Sequence, residues 1–165
     1  MITALICQIV LLVYHQATTF LDLFPFNGVR NYTRHERLVE MGVNAVLMGL
    51  APLGFAFDIH ALQIYGVIYY FFLFLTELLI WWVPYFVVPQ GVWRRVYNNA
   101  LAIGTSNFEP GDTLKHWINI HERLHSETIT IFPRRAGRIV PNLEHTILHL
   151  WTLVTALVTL RAVSA

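Results

Sequence analysis

Four stretches of this 165-residue chain are too long and too apolar for the interior of a soluble domain of that size. They run over about 2–24, 38–57, 61–83 and 142–163. At about 1.5 Å per residue, roughly 20 helical residues match a hydrocarbon core of about 30 Å. A segment in lipid must satisfy its own backbone polar groups, so each stretch is expected to be an α-helix. A composition with 56% hydrophobic and only 13% charged residues points the same way. The expected fold is therefore an all-α membrane protein: a single domain over 1–165 built as a four-transmembrane-helix bundle. An amphipathic helix is expected in the long loop 86–141 between spans three and four.

The segment Met1 to Val13 runs into apolar residues without a basic leader, so it reads as a retained first span. Cys7 is the sole cysteine, which excludes a disulfide framework and a thiolate metal site. Gly42, Gly49, Pro52 and Gly54 in the second span are of a kind that membrane helices tolerate. Trp81-Trp82-Val83-Pro84-Tyr85 closes the third with aromatic residues suited to a membrane interface.

Charge sets the expected orientation. Arg30, Arg34 and Arg37 fall in the first connection, and Arg94, Arg95, Lys115, Arg123, Arg134, Arg135 and Arg138 in the third, so 10 of the 11 Lys and Arg share one side. Basic loops stay in the cytoplasm, so both termini of this multi-pass cell-membrane protein are expected outside. Arg161, the exception, can snorkel from the end of the last span.

Projected at about 100° per residue, each span carries one polar stripe. The stripes hold Gln8, His15, Thr19 and Asp22; Glu36, Glu40 and Asn44; Gln63, Tyr70, Glu77 and Trp81; and His145, His149, Thr152 and Thr159. Ionisable groups facing lipid are costly, so these stripes should face one another. His15, Glu40, Glu77 and His149 come out at similar depth, near the cytoplasmic end. Glu36 and Glu40 also have Arg34 and Arg37 as neighbours for ion pairing.

The segment Thr113 to His125 has helical spacing, with Leu114, Trp117, Ile118 and Leu124 on one face and His121 and His125 within it. Docked over the bundle mouth, it would aim two imidazoles at the intramembrane carboxylates. Bundles build metal sites from inward Glu and His. The expected ligands are Glu40, Glu77, His121, His125, His145 and His149, holding a transition metal ion such as zinc or iron, with Glu122 as general acid or base.

His121-Glu122-x-x-His125 resembles the zinc motif of metalloproteases, in which two histidines bind the metal and the intervening glutamate acts on a bound water. The resemblance spans five residues. Together with His145-x-x-x-His149, it is also similar to the histidine boxes of membrane desaturases and hydroxylases, without their adjacent His-His pairs. Glu77-x-x-x-Trp81-Trp82-Val83-Pro84-Tyr85 with Pro141-Asn142-x-Glu144-His145-x-x-x-His149 resembles small integral membrane proteins of bacteria. That likeness implies no activity, but it implies that these polar residues belong to one site.

The leading expectation is a membrane-embedded, metal-dependent hydrolase or oxidoreductase with a His/Glu site at the cytoplasmic interface, acting on a lipid-soluble or membrane-delivered substrate. Its rivals are a haem electron-transfer protein with His15 and His149 as axial ligands, and a non-enzymatic subunit of a larger membrane complex. The expected partners are the bilayer, with Arg134, Arg135 and Arg138 meeting anionic lipid headgroups, and further copies of the chain or a larger complex. No nucleic acid is expected.

Overall fold

The computed structural model describes residues 1–87, 90–103 and 113–164. In chain order it contains α1 (Ile2–Phe20), a 3-10 turn (Val29–Asn31), α2 (Arg34–Ala56), α3 (His60–Phe86), α4 (Gly91–Ile103), α5 (Thr113–His125) and α6 (Leu143–Ser164). Four of these, α1, α2, α3 and α6, are long and apolar enough to cross a membrane. Among the described residues there is no strand beyond an isolated bridge between Thr130 and Asn142.

Two helix boundaries differ by four residues from the sequence reading, each where a side chain caps the helix. α1 stops at Phe20, where Leu21 turns extended. Asn27 then donates its Nδ2 to the carbonyls of Thr18 and Leu21, satisfying acceptors that the helix end leaves open. α2 starts at Arg34 rather than Leu38, because Thr33 and Glu36 form a reciprocal capping box. The polar approach to the second span is thus itself helical.

The four long helices pack in a ring, α1 on α2, α2 on α3, α3 on α6 and α6 on α1. Tyr65 and Tyr70 of α3 donate to the carbonyls of Leu47 and Met48 of α2, while Gln8 of α1 donates to Thr159 of α6. Tyr14 of α1 reaches the Glu144 carbonyl at the other end of α6, so neighbouring helices run antiparallel. The interior is polar for its size: Gln8, Gln63, Glu77, His149, Thr152, Thr155 and Thr159 are buried, whereas Ile6, Val13, Ile68, Phe72 and Leu150 point outward. This reverses the distribution of a protein folded in water and suits a surrounding of hydrocarbon.

The end of α3 is irregular in a way that matters. Leu78–Trp82 forms a π-turn, with the Val83 N–H reaching back to the Leu78 carbonyl. Pro84 follows; it has no N–H, and its ring crowds the carbonyl four residues earlier, so a widened turn just before it relieves the clash. The widening rotates Trp81 into the interior and Trp82 toward α6, where its indole N–H meets His149.

α5 lies across the same end of the bundle. Thr113, Leu114, His121, Leu124 and His125 are buried, and Lys115, His116, Asn119, Glu122 and Arg123 are exposed. Its C-terminal turn is held by the first connection: Asn31 Nδ2 donates to the Leu124 carbonyl at 3.0 Å, and Arg123 donates to the Asn31 carbonyl at 2.9 Å and to Glu36 at 2.6 Å. Glu36 therefore pairs with α5 rather than with Arg34 or Arg37. The approach is close enough to require glycine at 28, because a Cβ there would stand 2.2 Å from the Leu124 carbonyl oxygen.

Candidate functional site

Trp81, which the sequence suggested as an interface anchor, is instead the centre around which four histidines gather. Its ring lies face to face with His145, at 3.8 Å between centroids and 29° between planes, and edge-on to His121 at 4.0 Å. His125 and His149 stand at 5.4 and 5.8 Å. Two of these imidazoles come from α5 and two, one turn apart, from α6.

Hydrogen bonds assign the protons. The backbone N–H of His145 donates to Asn142 Oδ1, the N-cap of α6, which fixes the orientation of that amide. The same oxygen, 2.8 Å from His145 Nδ1, must then accept a proton from it, and Glu144 Oε2 lies 2.9 Å from that nitrogen. On its other side, Asn142 Nδ2 can only donate, so His125 Nδ1, at 3.3 Å, is an acceptor. The His125 proton then sits on Nε2, 3.4 Å from the Tyr32 hydroxyl. One asparagine thus imposes opposite tautomers on two histidines. The Trp82 indole, also donor only, is 2.9 Å from His149 Nδ1, so the neutral His149 ring carries its proton on Nε2.

Burial keeps His121 and His125 neutral. His125 is pushed down to about 3, first by desolvation and then by the positive charge that His145, Arg134 and Arg123 would bring. His121 is held well below the ordinary histidine value by desolvation and by the neighbouring imidazoles.

Two cavities meet at Trp81 and His145. A vestibule of about 560 Å³ opens between α2 and α5 and is lined by Tyr32, Glu36, Trp117, His121 and His125 among others. An inner chamber of about 190 Å³ is lined by His15, Asn44, Glu77 and His149. Glu40, Ile80, Trp81 and His145 line both and form the partition between them.

His15, Glu40, Glu77 and His149, placed at one depth by the sequence, therefore share one chamber. Within it, Glu40 is 3.9 Å from His15 Nε2, and Glu77 accepts from the Thr152 hydroxyl at 3.0 Å. The second oxygen of Glu77 is buried with no hydrogen-bond partner among the described residues, as is Nδ1 of His15. Glu122 is exposed and turns toward a different pocket, beside Arg134, Arg135 and Arg138.

Of the six expected metal ligands, His121 and His125 lie on the vestibule side of the partition, Glu77 and His149 on the chamber side, and Glu40 and His145 in it. Among the described residues no three His, Cys, Asp or Glu side chains are placed to hold a metal ion. The physical reason is visible: the indole of Trp81 occupies the space between the imidazoles, and nitrogens of His125, His145 and His149 are engaged by neighbours. The chamber shared by His15 and His149, at about 190 Å³, falls below the range of roughly 300–1,000 Å³ usual for small-molecule sites.

Three participants were named from sequence without the role that the structure gives them. Asn142 carried a signal, as an N-cap residue just before an apolar helix. Trp81 stood on the polar stripe of the third span with Trp82 beside it, and the neighbouring Pro84 hinted at an irregular turn but not at its direction. No family model, curated protein or solved structure matches this chain.

Proposed function

We propose that this chain is a membrane-embedded enzyme acting on a lipid-soluble or membrane-delivered substrate, with His145 as its general base. The observation that carries the proposal is the fixing of His145 Nδ1–H by Asn142 Oδ1 and Glu144 Oε2, at 2.8 and 2.9 Å. A carboxylate on one ring nitrogen orients the imidazole and stabilises the imidazolium that forms when the other nitrogen takes a proton. The ring lies in the partition between vestibule and chamber, so a substrate entering from the rim of the bundle meets His145 there. Glu40, in the same partition, is the second group available for proton transfer. The volume of the vestibule falls in the range of small-molecule sites.

The test compares cells producing the wild-type chain, His145→Ala and Glu144→Gln, with lipid-phase extracts profiled by mass spectrometry. A compound consumed or formed only with the wild type supports the reading, and identical extracts from all three would overturn it.

Ring spacing favours a second reading, in which the site takes a transition metal once Trp81 swings aside. Imidazoles bound tetrahedrally at about 2.0–2.1 Å from zinc have ring centroids roughly 5 Å apart. His121 and His125 are 5.5 Å apart and His125 and His145 5.2 Å. Elemental analysis of anaerobically purified protein decides this: about one zinc or iron per chain, lost in His121→Ala and His145→Ala, supports it, and metal-free wild type removes it.

A further inference from the structure

A separate cavity of about 210 Å³ lies between the C-terminal half of α5 and the loop 134–138, lined by Arg134, Arg135 and Arg138 together with Ser126 and Glu122. Gly137, at φ +68°, lets the loop turn so that all three arginines border the same space. Their positions are set by neutral partners. Arg134 donates to the carbonyls of His125 and Thr128 at 3.2 and 2.5 Å, and Arg138 donates to the Tyr85 carbonyl at 2.8 Å. Arg135 stands over the Tyr85 ring at 5.2 Å.

Among the described residues no carboxylate forms an ion pair with any of the three. Each guanidinium has five N–H donors, and these contacts use at most two. The cavity therefore gathers about three positive charges and many unused donors against one carboxylate, Glu122. Arginines held in place by backbone carbonyls and left without counter-ions suit a group with several acceptor oxygens and more than one negative charge.

We infer that this cavity is a phosphate-binding site, taking the phosphate of a lipid headgroup or of a soluble phosphate ester. It shares His121 and His125 with the vestibule, so a phosphate here lies one imidazole layer from the proposed reaction site. The inference thus rests on the enzyme reading for its meaning, naming a phosphate-bearing substrate, while the binding itself can be measured without turnover.

The experiment uses the full chain, delipidated in detergent, with native mass spectrometry and titration. Its probes are phosphatidic acid, phosphatidylcholine and glycerol 3-phosphate. Phosphatidic acid is expected to bind at least tenfold tighter than phosphatidylcholine, and Arg135→Gln to weaken it by on the order of tenfold, as for loss of one charge-assisted hydrogen bond. Arg135 is the chosen position because no backbone carbonyl depends on it in the contacts above; Arg135→Lys is expected to recover part of the loss. Glycerol 3-phosphate binding as tightly as phosphatidic acid would identify the soluble ester as the source, and binding of phosphatidic acid alone the lipid. Equal binding of phosphatidic acid and phosphatidylcholine, or an unchanged affinity in Arg135→Gln, overturns the site. His145→Ala is expected to keep phosphate binding, so failure of the base and failure of the anion site are told apart.

Discussion

Trp81 lies flat on His145, with ring centroids 3.8 Å apart, and the same indole edge-packs against His121 across the gap between α6 and α5. An aromatic ring from a π-turn of α3 thereby joins the helix that spans the bundle to the one that covers its mouth. Residues that hold such a junction are expected to matter for stability and for access between vestibule and chamber alike.

Trp81→Ala removes a buried ring from this junction. Loss of a buried tryptophan typically costs about 3–5 kcal/mol, through lost contacts and the void left behind. A fall of that size in the free energy of unfolding in detergent is expected, with Trp81→Phe retaining about half. A loss below about 1 kcal/mol would show that α5 does not depend on the indole.

Asn142 sets two tautomers, which nitrogen-15 NMR of histidine-labelled protein reads directly. His145 is expected as the Nδ1–H form, and His125 and His149 as Nε2–H forms. Asn142→Leu should release His125 into a mixture while leaving His145, whose Nδ1–H is still held by Glu144, and His149, whose partner is Trp82, unchanged. The same tautomer for His125 and His145 in the wild type would contradict the hydrogen-bond assignment.

Acid should loosen the cover before it unfolds the bundle. The folded value of His125, about 3, lies below the ordinary 6.5, so between these values the unfolded or undocked chain binds the extra proton. Stability from the neutral ring is therefore complete above about pH 6.5 and declines as pH falls toward 3; at about pH 4.5 the deficit is on the order of 3 kcal/mol. His121, also lowered, adds in the same direction. Protection factors across Thr113–His125, which correct exchange for the intrinsic pH dependence of amide protons, are expected to fall below pH 6.5, and His125→Gln to flatten that fall. Protection factors independent of pH from about 7 to 4.5 would show that these rings are not buried.

Gly28→Ala places a methyl group 2.2 Å from a backbone carbonyl that cannot rotate away. The first connection and the end of α5 must then separate, breaking the bonds through Asn31 and Arg123. Loss of exchange protection at 121–125 is the expected result, with the four long helices retaining theirs.

At the other extreme of scale, Thr33→Ala removes half of the capping box of α2 and is expected to cost about 1 kcal/mol, read from thermal or denaturant unfolding in detergent.

Much of this arrangement is legible in the residues alone. The four long helices follow from hydropathy and length, and their polar stripes from a period of 3.6, because both depend on local chemistry and a fixed helical geometry. The helix over Thr113–His125 follows for the same reason, as does the sharing of one depth by His15, Glu40, Glu77 and His149.

What required the tertiary structure was the environment of each nitrogen. Sequence spacing brings His121 near His125 and His145 near His149, but it does not say that an indole from a third helix fills the space among them. The rotation that puts Trp81 there is a one-residue widening of a turn, which no periodic pattern records. Likewise, the bonds that divide the protons among His125, His145 and His149 join residues from separate elements, and a tautomer is settled by the partner opposite each nitrogen. The chain by itself determined how many long apolar helices form and which of their sides are polar; packing alone decided which nitrogen of each imidazole carries the proton.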